Sequence, residues 1–162
     1  MPTQIHSMKV IKPPHSISKN HKKGQLIFLA GSIDMGQAEH WQAQVENYFK
    51  DSNTYTILNP RRDNWDSSWE QKFESPNFSQ QVNWELNGLE RSDIIILYLS
   101  PDTKSPISLL ELGLFARSGK LLVCCPNGFW RKGNVDIVCE KYNIPLFEDL
   151  ENLLKINFPE SS

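Results

Sequence analysis

Residues 93–99 of the chain are Asp-Ile-Ile-Ile-Leu-Tyr-Leu, the strongest strand signal in the sequence. The three consecutive isoleucines are β-branched and favour an extended backbone. Apolar side chains follow one another without alternating polar residues, which is typical of a strand covered on both faces. The run therefore predicts the central strand of a buried sheet.

On both sides of this run, short apolar segments alternate with helical patterns. Further strands are predicted at residues 25–30, 55–58, 120–125 and 145–147. Helices are predicted at residues 37–50, 79–91, 105–117, 135–142 and 148–156. This alternation indicates a parallel sheet with helices on both faces. We therefore expect one α/β domain, a three-layer doubly wound fold with a mostly parallel five-stranded sheet of the flavodoxin-like or Rossmann-like type.

The distribution of charge separates an N-terminal segment from the rest of the chain. Residues 1–23 contain five lysines and no acidic residue, although the formal net charge of the chain is −2. We expect a flexible basic arm at residues 1–23 and the α/β domain at residues 24–162. The acidic body argues against nucleic acid as a partner, and no apolar run approaches the ~20 residues that cross a bilayer.

The cysteines and histidines do not form a metal-binding pattern. The three cysteines lack metal-ligand spacing, and three of the four histidines lie in the first 23 residues. The N-terminus also lacks a hydrophobic signal core. We expect a cytoplasmic protein with reduced cysteines and no metal site.

The parallel sheet predicts where a ligand would bind. In open sheets of this kind the site lies beyond the carboxyl ends of the strands. We therefore expect one pocket to be formed by residues 31–36, 59–69, 100–111 and 126–134. Four aromatic residues in these segments are candidate stacking surfaces for a purine or pyrimidine ring, although each could equally cover the edge of the core: Trp65, Trp69, Phe129 and Trp130.

The turn at residues 31–36, Gly-Ser-Ile-Asp-Met-Gly, follows the first predicted strand. It lacks the G-x-G-x-x-G spacing of a dinucleotide site. Two interpretations stay open: a tight turn whose backbone N–H groups approach a ligand, or an ordinary connection between a strand and a helix.

Two glutamates are candidate catalytic residues. Glu111 lies among apolar residues near the start of a predicted helix, where a carboxylate is costly unless it is paired, hydrogen-bonded or used in chemistry. We expect the helix N-terminus to keep Glu111 ionised, as a nucleophile requires. Glu85, on the preceding helix, could face the same crevice, and a retaining glycosyl transfer needs two such carboxylates. A structural ion pair for Glu111 and an exposed position for Glu85 are the alternatives.

Together these residues resemble the nucleoside 2-deoxyribosyltransferase family over most of residues 24–145. The resemblance is carried by Ile-Phe-Leu-Ala-Gly-Ser-Ile at residues 27–33, by Glu-Leu-Asn-Gly-Leu at residues 85–89, and by Glu111-Leu112-Gly113 followed by Gly119-Lys120. It implies that Glu111 is the nucleophile and that Glu85 contacts the base, where characterised transferases often have Asp. It also implies that a neighbouring subunit supplies Asn134 to the deoxyribose, although the loop before Asn134 is one residue shorter here.

The candidate substrate contacts all lie in the segments after the strands and are Gly31, Ser32, Asp34, Asn59, Arg61, Trp65 and Ser105. Two of them bear on the substrate. Related deoxynucleotide N-hydrolases tend to have a basic residue where Asp34 stands, and the negative charge of Asp34 would repel a 5′-phosphate. Ser105 occupies a position where transferases often have an acid and hydrolases a serine. We give Asp34 more weight and expect a deoxynucleoside substrate.

The expected reaction exchanges the base of a 2′-deoxynucleoside through a covalent deoxyribosyl-Glu111 intermediate, without a metal or organic cofactor. The expected partners are the deoxynucleoside, a free nucleobase and a second copy of the chain in a homodimer or an assembly of dimers. Two alternatives stay open. One is an N-glycoside hydrolase of deoxynucleosides or their 5′-monophosphates, and the other is a catalytically silent nucleotide-binding module.

Overall fold

The computed structural model describes residues 9–17, 24–33, 40–62 and 68–159. Within them, strands and helices alternate along most of the chain. The strands are β1 (Lys9–Ile11), β2 (Gln25–Gly31), β3 (Tyr55–Leu58), β4 (Ile94–Tyr98), β5 (Leu121–Cys124) and β6 (Leu146–Phe147). The helices are α1 (Trp41–Phe49), α2 (Pro76–Arg91), α3 (Pro106–Phe115), α4 (Lys132–Lys141) and α5 (Leu150–Asn157).

The six strands form one sheet in the order β1-β3-β2-β4-β5-β6, and every neighbouring pair is parallel. The expectation of an α/β fold with a parallel sheet is confirmed, but the count of five strands was wrong by one. The extra strand, β1, was missed because three residues at a sheet edge produce too short an apolar pattern to be distinguished from a loop.

Strand β1 lies inside the segment that the sequence assigned to a basic arm. It pairs with β3, and the side chains of Ile11 and Ile17 are buried in the core. The carbonyl oxygen of His15 accepts a hydrogen bond of 2.8 Å from Trp84 Nε1 in α2. Residues 9–17 are therefore packed against the sheet and α2.

Alternate strand residues point to two separate layers of core. In β2, Leu26, Phe28 and Ala30 pack with side chains of α2, α3 and α4. The intervening Ile27 and Leu29 pack with side chains of α1 and α5. Helices thus cover both faces of the sheet, which confirms the three-layer arrangement.

The strand order reverses between β2 and β4. The chain leaves β2 towards β3 on one side and returns to β4 on the other, so the carboxyl ends of β2 and β4 border a topological switch point. In open α/β sheets this crevice is the usual ligand site. The segments after β2 and β4 carry Ser32 and Ser105, while α2 and α3 carry the two candidate glutamates.

Candidate active site

Strands β2 and β4 approach each other closely at Gly31. Its φ of +143° is rarely adopted by other residues, and a Cβ there would lie 2.3 Å from the carbonyl oxygen of Tyr98. Only glycine permits this approach. Gly31 is thus required by the packing of the two strands, and the approach brings the loops after them together.

Three buried hydroxyl groups connect the loops that follow β2 and β4. Ser32 Oγ lies 2.6 Å from Ser105 Oγ and 3.0 Å from Thr103 Oγ1, and the latter two are 2.6 Å apart. Ser32 Oγ accepts from the backbone N–H of Ser100 at 2.9 Å, and Thr103 Oγ1 donates to the Ser100 carbonyl at 3.0 Å. Ser105, 3% exposed, adopts a left-handed conformation (φ 48°) where α3 begins. These hydroxyls therefore bond mainly to one another and fix the start of α3.

The residues after β3 form a second polar network. Asn59 Nδ2 donates to Glu46 Oε1 at 2.7 Å, and Asn59 Oδ1 accepts from the Arg61 N–H at 3.0 Å. Arg61 Nη1 donates to Gln42 Oε1 at 3.4 Å. Asn59, which the sequence suggested as a substrate contact, is buried and shapes the loop that holds Arg61.

Glu85 lies half-buried on α2 and is held by its own helix. Gln81 Nε2 donates to Glu85 Oε1 at 3.0 Å and to the Pro60 carbonyl at 2.9 Å. Burial raises the pKa of Glu85 to about 7, against the hydrogen bond from Gln81 and the charge of Arg62, which both lower it. A carboxyl group with this pKa exchanges protons near neutral pH, as a general acid or base must.

Glu111 is buried in α3, with only 8% of its surface exposed. Burial, and after it the negative charge of Glu85, raises the pKa of Glu111 to about 8. The expectation that the helix N-terminus keeps Glu111 ionised was therefore wrong. Glu111 is the sixth residue of α3, and the favourable effect of a helix terminus fades within the first turn.

The two carboxyl groups, on helices α2 and α3, interact electrostatically. Because the charge of Glu85 raises the pKa of Glu111, ionising both groups together is unfavourable. With pKa values raised to about 7 and about 8, the two groups together retain a proton near neutral pH. One group can then act as nucleophile while its neighbour delivers a proton, which is the combination that a retaining glycosyl transfer uses.

The aromatic residues that were predicted to stack on a base lie in different environments. Phe129 is buried in the core, while Trp130 is 47% exposed. The Trp130 ring is covered by two cations, with Lys104 Nζ 4.7 Å and Arg131 Cζ 4.5 Å from its centroid. The guanidinium carbon of Arg62, Cζ, lies 5.3 Å from the centroid of the Trp69 ring. Trp65 and Asp34 lie outside the described residues.

Asn134 is exposed near the start of α4.

The described residues contain no group of three or more His, Cys, Asp or Glu side chains arranged to hold a metal ion. Over the same residues, none of the helices combines the length and apolar composition needed to span a bilayer.

The sequence did not single out Arg62, Gln81 or Thr103. Gln81 precedes Glu85 by four residues on α2, a spacing that places two side chains on the same helix face. That spacing was a usable signal. The sequence contains no such signal for Arg62, because its role depends on how the loop after β3 returns to α2.

Comparison with protein families matches residues 24–129, about two thirds of the chain, to the family described as nucleoside 2-deoxyribosyltransferase like. The chain belongs to this family. Comparison with curated proteins finds no match. The family match contains Gly31, Ser32, Glu85 and Glu111, and it ends before Asn134. Membership in the nucleoside 2-deoxyribosyltransferase-like family points to glycosyl transfer as the class of reaction.

Proposed function

We propose that the protein is a nucleoside 2-deoxyribosyltransferase that exchanges the base of 2′-deoxynucleosides. The observation that supports this proposal is a pair of buried carboxyl groups that interact electrostatically, Glu85 on α2 and Glu111 on α3, with pKa values raised to about 7 and about 8. Interacting carboxyl groups with perturbed pKa values are typical of catalytic sites.

The reactive form is the one in which the proton of the pair lies on Glu85 and Glu111 is ionised. In the first step, the Glu111 carboxylate attacks C1′ of the deoxyribose. The bond between C1′ and the base nitrogen breaks, its electrons go to the base, and Glu85 supplies a proton to the leaving base. An ester between Glu111 and C1′ results. In the second step, a nitrogen of the incoming base attacks C1′, the ester bond breaks, and the proton of that base passes to Glu85. Two inversions retain the configuration at C1′.

A homodimer would protect the ester from water. Ile107, Leu110 and Leu114 on α3 are each 58% exposed. Their spacing places them on one stripe of the helix, and Ile107 and Leu114 lie four residues before and three residues after Glu111. A partner subunit packed on this stripe would cover that side of Glu111. We propose that this stripe lies in the subunit interface and that the partner's α4 brings its exposed Asn134 to the sugar.

A second candidate function is hydrolysis of the N-glycosidic bond of a deoxynucleoside 5′-monophosphate. Lys104 immediately precedes Ser105, and within the described residues neither Lys104 nor Arg131 has an acidic partner. These two cations lie over the Trp130 ring and lack an acidic partner among the described residues, which favours an anionic substrate. This observation opposes the inference from Asp34.

The deciding experiment is a base-exchange assay. Purified protein is incubated with deoxyinosine and free adenine, with thymidine and adenine, and with deoxynucleoside 5′-monophosphates, and the products are separated by chromatography. A new deoxynucleoside supports the transferase, whereas free base and free sugar without exchange support the hydrolase.

The nucleophile is tested with Glu111→Gln beside a control, Glu140→Gln, which changes an exposed glutamate of α4. Only Glu111→Gln should abolish turnover. Mass spectrometry of acid-quenched wild-type protein should show the added mass of one deoxyribosyl group on the peptide that contains Glu111. An adduct on a different peptide would contradict the assignment.

A further inference from the structure

The Glu85 carboxyl group is reached by a chain of contacts that begins on the loop after β3. Arg62 Nε donates to Gln81 Oε1 at 3.0 Å, and Gln81 Nε2 donates to Glu85 Oε1 at 3.0 Å. Arg62 Nη2 also donates to Gln80 Oε1 at 3.2 Å. The guanidinium is thus held by two amides of α2, and one of these amides holds the glutamate.

The orientation of the Gln81 amide is determined by its partners. Gln81 is 6% exposed, its Nε2 donates to both Pro60 and Glu85, and its Oε1 accepts from Arg62. If the amide rotated by half a turn, its oxygen would face a carbonyl and a carboxylate, and its NH₂ group would face a guanidinium. All three contacts would be repulsive. Gln81 therefore presents a donor to Glu85 permanently.

Arg62 acts on Glu85 without forming a salt bridge with it. No such bridge is present in the part of the chain that the structure describes, yet the charge of Arg62 lowers the pKa of Glu85. Among the same residues, only Gln81 hydrogen-bonds the Glu85 carboxyl group, through Oε1. The second oxygen, Oε2, accepts no hydrogen bond from the described residues, and we infer that it is the atom that meets a substrate. A direct ion pair between Arg62 and Glu85 would have occupied Oε2 and kept Glu85 ionised.

We propose that Gln81, clamped by Arg62, is the positioning residue that directs Glu85 Oε2 towards the leaving base and makes protonated Glu85 a stronger acid, which gives up its proton more readily. This inference rests on the proposed function, because it assigns a role to groups that surround the proposed proton donor. Among the described residues, the charged group that acts on the pKa of Glu85 is Arg62, from the loop after β3, which lowers it. The charge of Glu85 in turn raises the pKa of Glu111 on α3.

The direction of the effect follows from these contacts. Removing the Gln81 donor or the Arg62 charge takes away an interaction that favours ionised Glu85, so the pKa of Glu85 rises. The limb of the pH profile of kcat/KM that reports Glu85 should therefore move to higher pH.

The test compares Gln81→Met with Asn83→Met. Methionine preserves the length of the Gln81 side chain but cannot donate to Glu85, and Asn83 is an exposed amide on the same helix without contact to the pair. Gln81→Met should lower kcat roughly 10- to 100-fold, with a change of less than about twofold in KM, and should shift the pH profile upward. Asn83→Met should leave kcat and the profile unchanged.

Two variants of Arg62 separate the effect of its charge from the effect of its geometry. Arg62→Lys retains the cation but not the planar fork, whereas Arg62→Gln removes the charge. Arg62→Gln should shift the profile upward, and Arg62→Lys should restore most of its position. A Gln81→Met profile that stays in place or moves to lower pH, with circular dichroism unchanged, would overturn the proposal.

One measurement keeps this inference separate from the proposed function. In protein labelled with ¹³C at the glutamate carboxyl groups, the titration of Glu85 can be followed by NMR and assigned by its loss in Glu85→Gln. An upward shift in Gln81→Met supports the role of Gln81 even if no base exchange occurs. A working transferase in which Glu85 titrates identically in wild type and Gln81→Met would reject this inference alone.

Discussion

Replacing Glu111 with glutamine should stabilise the fold at alkaline pH. Burial, followed by the charge of Glu85, raises the pKa of Glu111 from 4.5 to about 8. In the unfolded chain the group ionises near its ordinary value, so between these two values the folded protein binds the proton more tightly. The free energy of unfolding therefore falls as the pH rises through this window. Glutamine cannot ionise, which removes the loss.

The size of the effect follows from the same values. One pKa unit corresponds to about 1.4 kcal/mol, so a rise from 4.5 to about 8 makes Glu111 cost at most about 5 kcal/mol above pH 8. The buried glutamine amide has a cost of its own, but this cost is equal at every pH. The difference between pH 9 and pH 5 therefore isolates the titration. We expect the stability advantage of Glu111→Gln to grow by about 2–4 kcal/mol over that interval.

Urea unfolding followed by tryptophan fluorescence measures this difference, because Trp41 and Trp84 are buried in the folded state. Wild type and Glu111→Gln are compared at pH 5, 7 and 9, at one protein concentration, since self-association would otherwise contribute to the free energy. Glu140→Gln, at an exposed position, should change stability by less than about 0.5 kcal/mol at each pH. An advantage of Glu111→Gln that is equal at pH 5 and pH 9 would refute the raised pKa.

Three further outcomes are expected. In steady-state kinetics, Glu85→Gln should lower kcat by about 10²–10⁴-fold for ordinary bases. The loss should be smaller for a deoxynucleoside whose leaving base needs no proton. Equal losses for both substrates would exclude Glu85 as the proton donor. Gly31→Ala should destabilise the fold by roughly 2–4 kcal/mol in urea unfolding, because the new methyl group would meet the Tyr98 carbonyl at 2.3 Å. Leu110→Glu should produce monomers at micromolar concentration in sedimentation experiments, and a dimer that persists would place the interface elsewhere.

The central part of the fold could be predicted from the sequence because its strands are buried on both faces. Ile94–Tyr98 and Gln25–Gly31 are runs of apolar residues that no other element of an α/β domain explains. The edge strand Lys9–Ile11 contains too few residues to form such a pattern. Its place depends on pairing with β3, which is a tertiary interaction.

The start of α2 was predicted three residues late, at residue 79 instead of Pro76. The signal was present, since Ser75-Pro76 has the same form as Ser105-Pro106, which correctly marked the start of α3. It was outweighed by the polar composition of the preceding loop. The first turn of α2 is mostly exposed, so no apolar periodicity supported it.

In the candidate site too, some residues could be identified from the sequence and others could not. Residues that carry the chemistry can be identified as types, because a glutamate in an apolar helix is unusual wherever it lies. Of the residues that adjust the chemistry, Gln81 could be found from its spacing to Glu85 on α2, whereas Arg62 could not, because it acts through contacts between a loop and a helix. Even the pKa of Glu111 was misjudged from the sequence, since the effect of its burial outweighs its closeness to the start of the helix.

The high pKa of Glu111 is compatible with a nucleophile if its charge is needed only in the transition state. In the resting site an ionised Glu111 is poorly solvated and is repelled by the charge of Glu85, so the proton on Glu111 is favoured. When the bond to the base breaks, positive charge develops at C1′ beside Glu111, and an attraction in a medium of low polarity is far stronger than in water. The same burial that destabilises the free carboxylate therefore stabilises it against the oxocarbenium-like sugar. Interactions that strengthen only in the transition state raise kcat, so the stability lost at Glu111 and the rate gained there have one physical origin.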